Sequence, residues 1–600
     1  MQLPPIIHNS FSSSETYRMF KIKQIGLILL GLAFGACSGS GPVNNTGNSN
    51  SYTQTIGKPG GSLVYRVQAP IKTLNYLMAD DEPSVLTTLF LINGRLIELD
   101  HQSQLHVPSL AESYATAPDG RTVDVVLRDG LKFSDGQPLT TADVDFTMKA
   151  IYDERTKSPI FRDAMMVNGK MIETKPIDPR RIQFVFPEKV ASVENYLENL
   201  VVLPKHALGD AYAKGVLSES LRIDSDPKTA VSSGSFIVDS VQPGERVTLK
   251  RNRNYWKKDA SGSQLPYLDT LVLEAVTDPN NTLARLQQGT IDIADRIRTS
   301  DFATLKTSQT SAKPHDAGPG LNTDHIWFNL NPAKKNGESL VSSPKYKWFS
   351  DSRFRNAIAH SIDRKSIAGT TLQGLATPVY GFVPAGNRAW LDANIPKAEY
   401  NLERAKALLT EAGFIQKVSS DKPELFDKDG NRVEFTLIVQ AENEPRKLSA
   451  AVLQQDLERL GIRMQVAPLD TPGVTERWTN SYDYDAILLG LTGSGLDPSS
   501  YGGFLMSSAA VHQWFPKQPK PATEWEAKID QLFGQQAQTT DPAERKRLFN
   551  EIQAIVAKEM PIMPITSRHI VSGASEKIGN LAPSGILPFS LWNADRLFIR

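Results

Sequence analysis

Hydrophobic and polar residues alternate between residues 122 and 127, so that Val123, Val125 and Leu127 share one face of an extended chain. Asp-Gly pairs lie around this stretch, at 119–120, 129–130 and 135–136. Asp-Gly readily adopts the positive backbone φ that tight hairpin turns require. The pattern therefore predicts a β-rich region over residues 59–135.

The period of the apolar positions changes after residue 139. Thr140 and Asp143 fit a capping box, and Val144, Met148 and Ile151 form one helical stripe. The same helix signals recur further along the chain, in segments 278–289, 351–367, 401–413, 448–461 and 541–561. Strand patterns lie between several of these segments. The alternation predicts an α/β protein throughout its body.

The N-terminal segment has the pattern of a secretory signal. Lys21 and Lys23 precede twelve uncharged, mostly apolar residues, 25–36, and small residues precede Cys37. Twelve helical residues rise about 18 Å, which is too short for a hydrocarbon core of about 30 Å. We expect residues 1–36 to be a signal peptide. Either Met19 is the true start or the signal is unusually long.

Cys37 is the only cysteine in the 600 residues, and it stands where the apolar run ends. The tripeptide before it, Phe34-Gly35-Ala36, resembles a bacterial lipobox, although Phe34 replaces the usual leucine. Cys37 is predicted to be lipidated, and residues 37–58, rich in Ser, Asn, Gly and Thr, to form a flexible tether. The alternative is an ordinary small residue within a cleaved signal.

Composition excludes several classes of function. Lys plus Arg and Asp plus Glu both number 66, so no global field favours nucleic acid. No two of the nine histidines lie three or four residues apart, and no nucleotide-binding loop or nucleophile elbow occurs. We expect no metal and no cofactor, and the sequence shows no catalytic motif from which a catalytic residue could be named. Pattern alone leaves three classes open: a solute-binding protein, an enzyme with dispersed residues, and an envelope interaction protein.

The stretch LAESYATAPDGRTVDVVLRDGLKFSDGQPLTTADVDFTM, residues 110–148, resembles the family 5 extracellular solute-binding proteins, which serve ABC importers of peptides and nickel. Further similarities follow in the family's order: VVLPKH (201–206), SSGSFIV (232–238), RNRNYW (251–256), LPYLDTLVL (265–273), LQQGTIDIA (286–294), FNLN (328–331), RFRNAIAHSIDR (353–364), YNLERAKALLTEAGF (400–414), YDA (484–486) and MPIMPI (560–565). The resemblance covers nearly the whole mature chain. Most of these motifs are turns, caps and core stripes, so they indicate the fold better than the ligand.

The resemblance implies a two-lobed periplasmic-binding-protein-like fold of type II, in the large three-domain variant that binds peptides. Domain I would combine residues 59–78, 205–316 and 568–600, domain II would be 79–204, and domain III 317–567. The solute would lie between lobes that close by a hinge.

The implied function is a lipid-anchored, monomeric binding protein of the cell envelope. It would capture oligopeptides or a similar polar solute and deliver them to the membrane subunits of an ABC importer. Two alternatives stay open: an envelope hydrolase on the same scaffold, and a surface interaction lipoprotein without a transport role.

Peptide-binding relatives hold the peptide's amino group on an aspartate in a loop that corresponds here to GLTGSGLDP, residues 490–498. Ser494 occupies the aspartate position. Either Asp497 takes over this role, or the ligand has no free amino terminus. The candidate ligand-binding residues from the resemblance and from aromatic composition are Asn75, Tyr76, Trp327, Asn329, Trp390, Leu491, Thr492, Ser494, Asp497 and Trp514.

Overall fold

The computed structural model describes residues 54–335, 338–419, 422–492 and 495–600. The first strands in chain order are β1 Ser62–Val67, β2 Ile97–Asp100, β3 Leu105–Pro108, β4 Ala111–Thr116, β5 Thr122–Leu127, β6 Met166–Val167, β7 Lys170–Met171, β8 Glu173–Pro176, β9 Arg181–Val185, β10 Phe236–Gln242, β11 Arg246–Arg251, β12 Thr270–Ala275 and β13 Ile293–Asp295. The others are β14 Ala312–Phe328, β15 Lys334–Lys335, β16 Glu338–Ser339, β17 Ala376–Pro378, β18 Ile415–Ser419, β19 Lys422–Phe426, β20 Glu434–Gln440, β21 Arg463–Leu469, β22 Ala486–Thr492, β23 Ile562–Ser575, β24 Ile578–Gly579 and β25 Phe598–Ile599.

The α-helices are α1 Glu82–Val85, α2 Thr141–Tyr152, α3 Pro159–Ala164, α4 Glu194–Leu197, α5 Lys205–Ala213, α6 Pro279–Gln288, α7 Thr299–Thr307, α8 Ser343–Ser350, α9 Ser352–His360, α10 Arg364–Ser366, α11 Leu402–Glu411, α12 Glu444–Arg459, α13 Thr471–Glu476, α14 Gly502–Leu505, α15 Glu524–Gln538 and α16 Pro542–Glu559. Short turns of 3₁₀ or π-helix lie at Tyr76–Met78, Leu86–Ile92, Glu154–Thr156, Leu217–Glu219, Pro227–Thr229, Ile367–Thr371, Arg477–Ser481, Pro498–Tyr501, Phe589–Leu591 and Ala594–Arg596.

The main sheet is mixed and has the strand order β10-β11-β12-β1-β13-β23-β14-β22-β20-β21, with β17 added on β23. Parallel pairs join β1 to β12 and β13, and β20 to β21 and β22. A separate antiparallel sheet has the order β4-β5-β9-β8. The predicted α/β class is confirmed, with helices and strands alternating along the chain.

Two long antiparallel strands, β14 and β23, join the two halves of the main sheet. Their pairing runs from Ala312↔Ser575 at one end to Trp327↔Ile562 at the other. The register is interrupted between Asp316 and Thr323, where the ladder loses its regular spacing. The domain boundaries predicted at 316/317 and 567/568 fall in or beside this interruption, and they stay predictions.

Buried apolar side chains form several cores rather than one. One large core draws on residues 76–217, and another lies around β1, β10–β13 and the C-terminal segment. Two further clusters draw on residues 326–565. The molecule therefore has separately packed regions that the β14–β23 ribbon connects.

The local signals in the sequence formed the predicted elements. The capping box of Thr140 and Asp143 starts α2, and Gly289, at φ 73°, ends α6. Pro542 occupies the first turn of α16. The acidic stretch at 427–431 is a turn closed by hydrogen bonds to Asp427, as the hairpin interpretation predicted. Among the described residues, none of the helices combines the length and apolar character needed to cross a bilayer.

Candidate functional site

A cavity of about 1400 Å³ lies where β14 and β23 pass from one half of the main sheet to the other. Gly320 to Asn322 of β14 and Arg568 to Val571 of β23 form part of its lining. The rest of the lining comes from Ala164 and from segments that belong to different cores, at 82–106, 195–199, 296–300, 371–375, 444–448, 495–500 and 585–589. The cavity is therefore an interlobe site, shaped by residues far apart in the chain.

One wall carries an acid paired with a histidine. Glu198, which follows α4, lies with its Oε2 2.6 Å from Nε2 of His106 on β3. Burial by itself raises the pKa of Glu198, but the His106 ring and nearby Arg95 outweigh burial and hold the pKa below its usual value. Asn195 and Asn199 flank this pair along the cavity. The wall therefore offers amide donors and acceptors beside a hydrogen-bonded acid–histidine pair.

The lining charges at residues 82 and 296–298 are also paired. Arg296 contacts Glu82, and its guanidinium lies over the ring of Phe589 at 5.0 Å. Arg298 donates two hydrogen bonds of 2.8 Å to Asp301. Each of these cations has a carboxylate of its own.

Asp497 also lines the cavity, and it caps the 3₁₀ turn at Pro498–Tyr501. Both of its carboxylate oxygens accept hydrogen bonds of 2.7 Å from Arg545 of α16. Burial raises the pKa of Asp497, but the bonds and charge of Arg545 outweigh burial and lower the pKa below its usual value. Asp497 is therefore a compensated carboxylate and not a free anion.

The β14–β23 floor carries a different arrangement. Asp324 Oδ1 accepts a 2.8 Å hydrogen bond from Nε of Arg446, and its Oδ2 lies 3.7 Å from Nε of Arg568. Gly490 on β22 leaves room for Arg446, since a Cβ there would collide with the guanidinium. Two arginines thus share one carboxylate at the cavity.

The β2–β3 hairpin links two cores beside the cavity. Leu99 and His106, which pair with each other in the hairpin, line the cavity, and Gln104 lies at the tip. The Gln104 amide donates to Gly386 O at 2.7 Å, and its Oε1 accepts from Arg388 N at 2.9 Å and from Ala389 N at 3.3 Å. A backbone bond of 3.0 Å from Ala191 N to Ala537 O joins the same two regions. These contacts fasten one lobe to the other.

Two of the predicted ligand contacts, Asn75 and Tyr76, are buried away from the cavity. The Asn75 side chain caps the turn at Tyr76–Met78 and donates to Leu217 O and Ser220 O. Tyr76 is 1 % exposed and donates to a backbone carbonyl of residue 199. Their polar groups are satisfied within the protein, so cavity-lining residues replace them as candidates.

Trp327, Asn329 and Trp514 are also enclosed in the protein. Each is fully buried. The Trp514 Nε1 donates to Glu526 at 2.9 Å, and the Asn329 amide donates to Tyr482 O and Tyr484 O. None of the three lines the cavity, so their role as ligand contacts stays a prediction that the described contacts do not favour.

The other candidates lie near the cavity or outside the described residues. Trp390 is half-buried under the guanidinium of Arg545 at 5.1 Å, one contact away from Asp497. The backbones of Leu491 and Thr492 pair with β14 at Thr323 and Asn322. Ser494 and Cys37 lie outside the described residues. Of the predicted set, Asp497 alone has a described side chain that lines the cavity.

Sequence reasoning missed Arg446 and Arg568. Arg568 and His569 are the only charged or titratable residues in the strand Ile562–Ser575. An arginine inside an otherwise uncharged strand was the available signal. Arg446 had none, since a charged residue in the first turn of a helix is ordinary. Among the described residues, no group of three or more His, Cys, Asp and Glu side chains could hold a metal ion.

Comparison with known proteins connects this architecture to a family. Residues 106–513 match the family model described as "Bacterial extracellular solute-binding proteins, family 5 Middle". A Deinococcus radiodurans protein named "Probable ABC transporter-binding protein" is 27 % identical over 570 residues, which cover 91 % of this chain and 93 % of that protein.

Solved structures show the same fold. The ABC transporter substrate-binding protein CtaP from Listeria monocytogenes matches with a TM-score of 0.72 and 23 % identity, over 90 % of this chain and 100 % of that one. The oligopeptide-binding protein AppA from Bacillus subtilis, solved with a nonapeptide, matches with a TM-score of 0.62 and 23 % identity, over 91 % and 100 %. The predicted two-lobed type II fold is confirmed.

Proposed function

The chain belongs to family 5 of the bacterial extracellular solute-binding proteins, and on that premise we propose that it captures oligopeptides in the interlobe cavity. Family membership makes it the substrate-binding protein of an ABC importer, at work in the cell envelope, and not an enzyme. The hydrolase alternative is therefore wrong. The peptide ligand, the membrane subunits as partners and a monomeric state are the finer parts of the proposal.

The size of the cavity is the observation that carries the peptide assignment. Its volume of about 1400 Å³ exceeds the roughly 300–1,000 Å³ that pockets for drug-sized ligands occupy. A dipeptide or a small chelate would leave most of this space to water. An extended peptide of several residues fits better, and the name of the related AppA, an oligopeptide-binding protein solved with a nonapeptide, points the same way.

The strand β14 offers a backbone edge to such a peptide. Its pairing with β22 reaches only to Asn322↔Thr492. Within the described residues, the cavity-lining part of β14 beyond that pair has no ladder partner on the β22 side. The backbone of this short part, Gly320 and Leu321, could hydrogen-bond to an extended peptide, and main-chain hydrogen bonds give affinity without requiring a particular side chain. This supports a binding mode that tolerates many sequences.

The amino terminus of the peptide is not expected to bind Asp497. An ammonium would have to displace Arg545, which already holds both carboxylate oxygens at 2.7 Å. Of the two earlier alternatives, this argues against Asp497 as the partner of the amino terminus, and a ligand without a free amino terminus stays open. The loop around Ser494 remains the other place where an amino terminus could bind.

The lipid anchor at Cys37 is proposed from the sequence alone. The test is expression of Cys37→Ser and of the unmodified chain in a bacterial host fed an alkyne-labelled fatty acid. We expect label and membrane association only in the unmodified chain. Equal labelling of both chains, or of neither, would contradict the anchor and leave the binding function untouched.

The binding function is tested by adding a defined peptide mixture, from dipeptides to dodecapeptides, to the purified protein. Native mass spectrometry should retain mainly the longer peptides, one per protein, and titration calorimetry should give saturable binding for each. The bound peptides should be released with unchanged mass. Retention of dipeptides alone would contradict the assignment to oligopeptides.

A further inference from the structure

The floor of the cavity carries more positive than negative charge. Asp324 is the one carboxylate within ion-pair distance of both Arg446 and Arg568 in the described part of the chain. Asp324 and Arg446 are buried, with side chains 5 % and 6 % exposed, and Arg568 is 34 % exposed. Two guanidinium groups and one carboxylate leave one net positive charge beside the cavity.

Asp324 lies closer to Arg446 than to Arg568. Arg446 Nε donates to Asp324 Oδ1 at 2.8 Å, a charge-assisted hydrogen bond of ordinary length. Arg568 Nε lies 3.7 Å from Oδ2, beyond hydrogen-bond distance. This Nε is enclosed by protein, and no described residue accepts a hydrogen bond from it. Of these two arginines, Arg568 therefore has the unused donor capacity, and it lines the cavity. Nε of Arg296, another lining residue, also lacks a described acceptor, but Arg296 has Glu82 as its own carboxylate.

The other charges of the lining leave no such surplus. Each lining carboxylate has a basic side chain within ion-pair distance among the described residues, in the pairs Glu82–Arg296, Glu198–His106, Glu444–Lys447 and Asp497–Arg545, and the His106 partner is charged only when it is protonated. His569 next to Arg568 pairs with Asp316. The first turn of α12, at Glu444 and Pro445, also faces the cavity, and a helix N-terminus adds positive potential. The surplus therefore lies on the β14–β23 floor.

We propose that Arg568 anchors a carboxylate of the bound peptide, which supplies the anion that Asp324 cannot give to both arginines. This inference rests on the proposed peptide-binding function. The guanidinium would present its free N–H groups to the carboxylate in a two-point bond. Arg446, held behind by Asp324, would act as a positioning residue that keeps Asp324 away from Arg568.

The carboxylate can come from the C-terminus of the peptide or from an acidic side chain. Three versions of one retained peptide separate these sources. The first has a free C-terminus and a glutamate, the second has an amidated C-terminus, and the third has glutamine in place of the glutamate. The version that loses affinity identifies the carboxylate that binds.

The decisive experiment measures Kd for the three versions on four proteins: the unmodified protein, Arg568→Gln, Arg568→Lys and Arg547→Gln. Arg547 is an exposed arginine of α16 outside the cavity, paired with Glu544, and is the matched control. On the unmodified protein and on the control, we expect either the amidated or the glutamine version to bind roughly 10- to 150-fold more weakly than the version with both carboxylates. This is the range for a hydrogen bond to a charged group. Arg568→Gln should bind all three versions with similar, weak affinity.

Arg568→Lys should restore part of the discrimination, since it keeps the charge but loses the planar fork. The peptide comparison on the unmodified protein does not depend on how any variant folds. Equal affinity for all three versions there would overturn the inference and leave the proposed function standing. Failure to bind any peptide would overturn both.

Discussion

Two buried carboxylates lie beside the cavity, and they differ in the number of arginines that they contact: Asp497 contacts one, and Asp324 contacts two. Asp497 gives both oxygens to one guanidinium, that of Arg545, with two bonds of 2.7 Å. Asp324 divides its oxygens between Arg446 at 2.8 Å and Arg568 at 3.7 Å. The first pair is electrically complete, and the second group lacks one negative charge.

The difference indicates that the Asp497–Arg545 pair stabilises the fold, whereas the Asp324 group is suited to binding an anion. A buried pair with matched geometry holds two elements together, and breaking it leaves an uncompensated charge. A group with surplus charge at a cavity is stabilised when an anion enters. The sequence pointed to Asp497 as a binding residue, but its chemistry is that of a brace between the 498–501 turn and α16.

The largest effect is expected from Asp497→Asn. The substitution keeps the shape but leaves the Arg545 side chain, 5 % exposed, without its anion. We expect the free energy of unfolding to fall by about 3–5 kcal/mol, the range for breaking a buried ion pair. Denaturant unfolding followed by circular dichroism measures this change.

The matched control for this prediction is Asp483→Asn, which removes the exposed partner of Arg477. An exposed ion pair contributes about 1 kcal/mol or less, so the control should lie close to the unmodified protein. Equal effects of the two substitutions would contradict the bracing role of Asp497.

The next effect is expected from Gly490→Ala. The new Cβ would collide with the Arg446 guanidinium and also with the side-chain oxygens of Asp324 and Asn322, so the Arg446–Asp324 contact could not stay as it is. We expect destabilisation by about 1–3 kcal/mol, as for overpacking in a core. Asp324, released from Arg446, could then bind Arg568, so peptide affinity should fall as well. Calorimetry with the free-acid peptide and thermal unfolding measure the two effects.

Gly503→Ala is the control, because a Cβ at Gly503 meets no other atom within 4 Å. It should change neither stability nor affinity appreciably. A Gly490→Ala protein with the stability and peptide affinity of this control would show that the packing of Arg446 at Gly490 does not matter.

A smaller effect, of a different kind, is expected from Gln104→Glu. The substitution keeps the acceptor for Arg388 N but replaces the donor to Gly386 O with an oxygen. Leaving a buried carbonyl unpaired costs about 1–3 kcal/mol. Here the cost destabilises the conformation in which Gln104 contacts the Gly386 loop and so holds the two lobes together. Gln104 does not line the cavity. Affinity for the acid and amide peptides should therefore fall by the same factor.

Gln102→Glu, two residues away and exposed, adds the same charge without touching the Gly386 loop through its side chain. It should bind both peptides as the unmodified protein does. If the ratio of the affinities for the acid and amide peptides differs between Gln104→Glu and the unmodified protein, Gln104 takes part in ligand recognition. That result would contradict a role limited to holding the lobes together.

The last effect depends on pH and concerns Glu526, a buried carboxylate with no arginine ion pair among the described residues. Burial raises its pKa, but nearby His512 and hydrogen bonds from Trp514 and Thr523 outweigh burial and lower the pKa to about 2 from 4.5. The ionised form thus stabilises the fold above about pH 4.5, and this contribution is lost as the pH falls toward 2.

Glu526→Gln removes the ionisable group, so the difference in melting temperature between the two proteins should be widest near neutral pH. It should shrink progressively between pH 4.5 and pH 2. Melting curves of both proteins across this range test the sign. A difference that stays constant with pH would show that the charge of Glu526 does not stabilise the fold.

The sequence predicted the fold through short-range signals. Thr140 with Asp143 and the Asp541-Pro542 pair start helices whatever surrounds them, because caps satisfy backbone groups locally. Such signals predicted the α/β class, and the resemblance of the ordered motifs to family 5 implied the two-lobed architecture. The interlobe position of the site followed from that architecture.

The side chains of the site could not be predicted in the same way. Trp327 and Trp514 looked like stacking residues, but an aromatic pattern does not reveal which face a strand or turn buries. Arg568 and Asp324 are 244 positions apart, and Arg446 reaches Asp324 from 122 positions away. Their shared charge exists only once β14, β23 and α12 meet. The neighbours of Asp497, which decide its role, likewise come from α16.

The central claim is that the interlobe cavity holds an oligopeptide and releases it unchanged. The most direct test is native mass spectrometry of the protein purified without denaturation from its own host, followed by sequencing of whatever it releases. We predict peptides of several residues, one per protein, that rebind after release with their masses unaltered. A protein that carries no peptide and takes none up from the mixture, or one that shortens what it binds, would contradict the account.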